Sequence, residues 1–121
     1  PRIDQAIAAS ALHAAALVGA KAIVALTDSG STALWMSRRR IGIPIYALTP
    51  RVATQRKMAL YRNVIPMLMD TSADRDEALR QAESCLLRHG VMSQGDIYAI
   101  TCGEPMGAPG GTNMLKISRV G

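Results

Sequence analysis

The sequence predicts an α/β fold: a three-layer α/β/α domain around a five-stranded, mostly parallel sheet whose last strand runs antiparallel. Three observations carry this. Short apolar runs alternate along the chain with segments of helical periodicity. The first four runs are separated by helix-length connections, as parallel strands with right-handed crossovers require. The fifth follows a glycine- and proline-rich loop with no helix, so it can return beside the fourth.

Each element has its own signal. Residues 4–19 are alanine-rich, with Ile7, Leu12, Ala15 and Leu17–Val18 at helical spacing and Gly19 as C-cap. Ala22–Leu26 is a continuous apolar run, short and β-branched, which suits a buried strand. Ser29 to Arg40 reads as a second helix stopped by Gly42, and Pro44–Leu48 as the second strand. Pro50 opens a third helix over Arg51–Tyr61, in the first turn, where the missing N–H costs nothing. Val64–Met69 is the third strand, and Pro66 within it indicates an irregular start or a sheet edge. Thr71-Ser72-Ala73-Asp74 forms a helix entry, Leu79, Ala82, Leu86 and Leu87 stripe the following helix, and Gly90 ends it. Gly95-Asp96 turns the chain into Ile97–Cys102. A loop runs from Gly103 to Gly111, and Asn113–Val120 is the last strand.

Composition narrows the function. At 121 residues the chain is one domain, 1–121, large enough for a real core. With no Phe, three Tyr and one Trp, that core is aliphatic. No stretch reaches the ~18 apolar residues of a membrane span. The chain starts without a secretory signal or an initiator Met, and reads as a fragment of something longer. The net charge of +5 suits phosphorylated ligands or acidic partner surfaces; a nucleic-acid reader would add stacking aromatics or a recognition helix. Cys85 and Cys102 make neither a disulfide framework nor a zinc site, which fits reduced thiols in the cytoplasm.

In open α/β sheets, ligands sit beyond the carboxyl ends of the strands. Two segments fall there. Thr27-Asp28-Ser29-Gly30-Ser31-Thr32 joins the first strand to the second helix. It offers hydroxyls, a glycine for close backbone approach, and the amides and positive dipole of a helix start. That is a phosphate cradle, although an ordinary N-cap uses the same residues. Gly103-Glu104-Pro105-Met106-Gly107-Ala108-Pro109-Gly110-Gly111-Thr112 leaves the fourth strand and could cover the first segment as a lid, or be a loose connection. Asp28 and Glu104 at one mouth would disfavour a highly anionic ligand. Arg38-Arg39-Arg40 suits a helix C-terminus, and Trp35 with Met36 suits core or interface. His13 and His89 read as structural. Cys102, ending a strand beside a polar loop, is the single thiol with a rival chemical reading.

Four strings, KAIVALTDSGSTALWMSRRR, PIYALTP, TQRKMALYRNVIPMLMD and GDIYAITCGEPMGAPGGTNMLKI, together resemble the C-terminal domain of pyruvate kinase over essentially the whole chain. The resemblance implies a regulatory domain that contributes to a tetramer interface and is catalytically silent alone. Magnesium, potassium and phosphoenolpyruvate contacts would lie in a separate (β/α)8 barrel, which needs ~250 residues. Thr27, Ser29, Gly30, Ser31 and Thr32 would hold an effector's phosphate, with Asp28 in the same loop. The segment with Gly103, Glu104, Gly107, Gly110, Gly111 and Thr112 would close over its sugar. Asp28, Ser31 and Glu104 depart from members that bind fructose 1,6-bisphosphate and look closer to the bacterial branch responsive to AMP and sugar monophosphates. The implied partners are the barrel, further copies of the chain (a tetramer, or a dimer of the fragment) and a phosphorylated metabolite, with neither nucleic acid nor membrane. A purely structural oligomerisation domain is the alternative.

Overall fold

The computed structural model describes residues 2–70, 74–103, 106 and 111–121. Its elements run α1 (Ile3–Val18), β1 (Ala22–Leu26), α2 (Ser31–Ser37), β2 (Ile45–Thr49), α3 (Val52–Met58), β3 (Val64–Leu68), α4 (Arg75–Arg88), β4 (Ile97–Gly103) and β5 (Thr112–Arg119). The strands form one sheet in the order β3-β2-β1-β4-β5. All neighbours are parallel except β4 and β5, which are antiparallel. This is the predicted sheet.

Its two faces bury two separate cores. Ile23, Ala25, Ile45, Ala47 and Ala99 point toward α1, α2 and α3, where they meet Ala11, Ala15, Met36 and Met58. Val24, Leu48, Tyr98 and Ile100 point the other way, toward Ala78, Ala82 and Leu86 of α4. Every residue of β1 is buried, because β1 is central and covered on both sides. Fully buried alanines such as Ala11, Ala15, Ala78 and Ala82 stand at the layer contacts, where their small side chains permit close approach of helix to sheet.

Two ends are capped as expected. Gly19 lies in the left-handed region at φ 67° and its N–H bonds to the Ala15 carbonyl. Asp74 caps α4 by accepting from the Glu77 amide at 3.1 Å. Residues 71–73 of the predicted entry lie outside the described residues.

Other boundaries differ. The second helix covers Ser31–Ser37 rather than Ser29–Arg40. Gly30 sits at φ 85° and so cannot be helical, and the chain leaves the helix after Arg38 through turn-like bonds to Trp35 and Met36. Pro50 is not in the first turn of α3. It precedes Arg51, an extended residue whose amide is taken by Thr49 Oγ1 at 3.2 Å. The helix closes at Met58, and a tight turn carries the chain on to Tyr61. Gly103 belongs to β4, paired with Thr112 across an irregularity in register, so β5 starts one residue earlier than predicted.

Pro66 is at an edge, and its geometry explains why it is tolerated. The bonds Ile45 N–H to Asn63 O and Met69 N–H to Thr49 O place the odd-numbered residues of β3 toward β2. The absent N–H of Pro66 therefore faces outward, where it blocks further strand addition.

Candidate functional site

Strand order places the site. From β1 the chain winds to β2 and β3 on one side, then crosses to β4 on the other. The carboxyl ends of β1 and β4 therefore flank the switch point, the position at which open α/β sheets generally bind ligands. The segments after those two strands are the two singled out from the sequence.

They meet. Thr32 Oγ1, at the start of α2, donates to Thr112 Oγ1 at 2.7 Å, and both side chains are buried. This bond ties the first loop to the foot of the glycine-rich segment, 80 residues further on. Thr112 is thus beside Thr32, with Gly111 preceding it in the chain, while Glu104, Gly107 and Gly110 lie outside the described residues. Whether Glu104 faces Asp28 falls there too.

Within the first loop the bonds are largely local. Thr27 Oγ1 accepts from the Gly30 amide at 2.8 Å, and Ser29 Oγ accepts weakly from the Ser31 amide at 3.4 Å. Among the described residues no acceptor takes the amides of Thr32 and Ala33. The loop thus offers an anion two unclaimed amides rather than the full first turn the sequence suggests. Gly30 is also needed for a reason other than ligand approach. Its φ is positive, and a Cβ there would meet Met58 Cγ at 3.1 Å.

Two charged residues shape the site that the sequence reading missed. Asp4 is 1% exposed, accepts both Arg2 Nε and Nη2, at 3.0 and 2.7 Å, and takes the Ser31 hydroxyl at 3.0 Å. Arg51 Nε reaches Asp28 Oδ1 at 3.0 Å, so the acidic loop residue carries its own cation. Asp28 O in turn accepts from Thr54 Oγ1 at 2.8 Å, which anchors the loop on α3. The Ser31–Asp4, Arg51–Asp28 and Thr54–Asp28 contacts have no local sequence signal, because their partners are 27, 23 and 26 residues apart.

The remaining candidates are structural. Cys102 is buried in the α4-side core at 2% exposure, so its thiol presents no nucleophile at the surface. His89 caps α4 and its ring bonds back to the Cys85 carbonyl. Trp35 packs partly against the core, with the Arg38 guanidinium 4.8 Å from its ring centroid. No group of three or more His, Cys, Asp or Glu gathers among the described residues, and no described helix is long and apolar enough to cross a membrane.

The fold defines an open, doubly wound α/β domain whose loops after β1 and β4 meet at its switch point. The family profile of the pyruvate kinase alpha/beta domain matches residues 5–118, and the chain belongs to that family. It is 39% identical over 119 residues to a pyruvate kinase of Buchnera aphidicola, covering 98% of this chain and 25% of the relative. It is 40% identical over 119 residues to pyruvate kinase II of Salmonella typhimurium, with the same coverage. A crystal structure of a Cryptosporidium parvum pyruvate kinase superposes with a TM-score of 0.87 at 25% identity, over 100% of this chain and 23% of that one. The chain therefore spans about a quarter of the length of these relatives.

Proposed function

We propose that this domain senses a phosphorylated metabolite within a pyruvate kinase, the enzyme that passes a phosphoryl group between phosphoenolpyruvate and ADP, and helps assemble its tetramer. Catalysis, with its magnesium and potassium, belongs to a barrel outside these residues. Support for the sensor comes chiefly from the Thr32–Thr112 bond, which seats the two loops against each other at the switch point. A phosphate monoester suits the donors available: the amides of Thr32 and Ala33, the hydroxyl of Ser29, and Arg51 at the rim. So few donors favour one phosphate over two, hence AMP or a sugar monophosphate. Assembly is supported by exposed apolar side chains on α1 and β5, with Ile3 67% and Leu17 74% exposed, and Ile117 also accessible. Coupling between effector and assembly of ~1–3 kcal/mol would be typical of such a switch.

The scaffold reading has its own observation, since the Gly30 and Ser31 amides are already bonded within the loop. Calorimetric titration with AMP, ribose 5-phosphate, glucose 6-phosphate and fructose 1,6-bisphosphate separates the two. The sensor binds at least one monophosphate, and Ser29→Glu, which places a fixed carboxylate in the anion position, abolishes that heat while leaving the fold intact. Absence of heat with all four ligands leaves only the scaffold.

A further inference from the structure

Basic charge is distributed unevenly along the chain. Residues 29–69 hold seven Lys and Arg and no Asp or Glu, so this stretch carries +7 while the remainder carries −2. Part of that charge gathers at the amino ends of β2 and β3, the side of the sheet opposite the switch point. There Arg39, Arg40, Ile41, Gly42, Arg62 and Asn63 line a concavity of about 430 Å3.

The concavity is built, not merely bordered. Asn63 is the single non-glycine residue with positive φ among the described residues, at 63°. Its Nδ2 donates to the carbonyls of Ile41 and Ile43, at 3.3 and 2.8 Å. That clamp fixes the Ile41–Ile43 turn against the turn before β3, and so brings Arg39 and Arg40 beside Arg62. Other arginines of this chain have local work: Arg51 pairs with Asp28, Arg80 with Glu77, and Arg38 lies over Trp35. Arg39, Arg40 and Arg62 make no ion pair with any described residue.

We infer that this concavity is a second anion site, which takes a compact polyanion with two phosphate or carboxylate groups. Three arginines line one hollow, and guanidinium groups are suited to pairing with phosphate or carboxylate oxygens. The volume falls within the range of small-ligand pockets, and no aromatic lines it to stack a base, so recognition is by charge. The site is separate from the switch point and does not depend on the sensor reading.

The test is calorimetric titration of the chain with pyrophosphate and, separately, citrate, at 150 mM salt, for wild type, the double variant Arg39→Gln/Arg62→Gln, and Ser29→Glu. The three arginines are exposed, so the double variant keeps its thermal transition. Saturable binding of one ion per chain is expected, weakened at least tenfold by the double substitution and unchanged by Ser29→Glu. Pyrophosphate alone binding identifies phosphates as the ligand class, and citrate alone identifies carboxylates. The inference is overturned by no saturable binding of either, by equal affinity in the double variant, or by loss of binding in Ser29→Glu.

Discussion

Asp4 is the side chain on which the first loop leans most. A buried carboxylate is stable only when its lone pairs are taken, and here Arg2 and Ser31 take them. Replacing it by Ala leaves the Ser31 hydroxyl and the Gln5 amide without their acceptor. Asp4→Ala should cost about 2–3 kcal/mol in urea unfolding, with an unchanged m-value. A loss under about 0.5 kcal/mol would show that the contact carries nothing. At this scale the sequence was half legible. Thr27, Ser29 and Gly30 announced a tight, hydroxyl-rich turn, and that turn is there. Asp4 and Arg51 were not visible as members of the site, since only the packing of α1 and α3 brings them to it.

Elements differ in legibility for a physical reason. β1 could be read residue for residue, because a strand buried on both faces is a continuous apolar run. α2 could not, because its length is set by tertiary contacts of Ala33 and Met36 and by the left-handed Gly30, not by its caps. For α1 the alanine stripe is a packing requirement. Ala15, fully buried against the sheet, has no room for a longer side chain. Ala15→Leu should destabilise by about 1–3 kcal/mol despite Leu's good helix propensity, while Ala16→Leu on the exposed face should be near neutral. Thermal melts of the two variants decide this.

β4 and α4 are joined by a pH-sensitive contact. Tyr98 donates its hydroxyl to Glu83, and burial together with that bond pushes the phenol from 10.0 up to about 12. A phenol raised on folding stabilises the protein fully below its unfolded value and loses that contribution as pH climbs through the folded value. Stability should therefore fall between about pH 10 and pH 12. In Tyr98→Phe that alkaline decline should be shallower, with lower stability at neutral pH because Glu83 loses its donor. An identical alkaline slope in both proteins would assign the decline to other groups.

On the scale of the whole molecule, the chain spans about a quarter of the length of its pyruvate kinase relatives, and strand order rather than any single motif brings the loops after β1 and β4 together. The sheet was predictable because alternation of helices and strands leaves few topologies, and handedness removes most of those. The segment from Gly103 to Thr112 reads from the sequence as either a lid or a loose connection; of its described residues, Gly103 ends β4, Met106 packs against the α4-side core and Thr112 bonds Thr32, while Glu104, Gly107 and Gly110 are not among the described residues.

The most direct test of the sensor follows the amide resonances of Thr32 and Ala33 while ribose 5-phosphate or AMP is added. These are the two first-turn N–H groups that no described acceptor takes, so a bound phosphate should move both in a saturable way, together with Gly111 and Thr112. If every ligand leaves these four resonances in place, or shifts them only in proportion to ionic strength, the switch point is not an effector site.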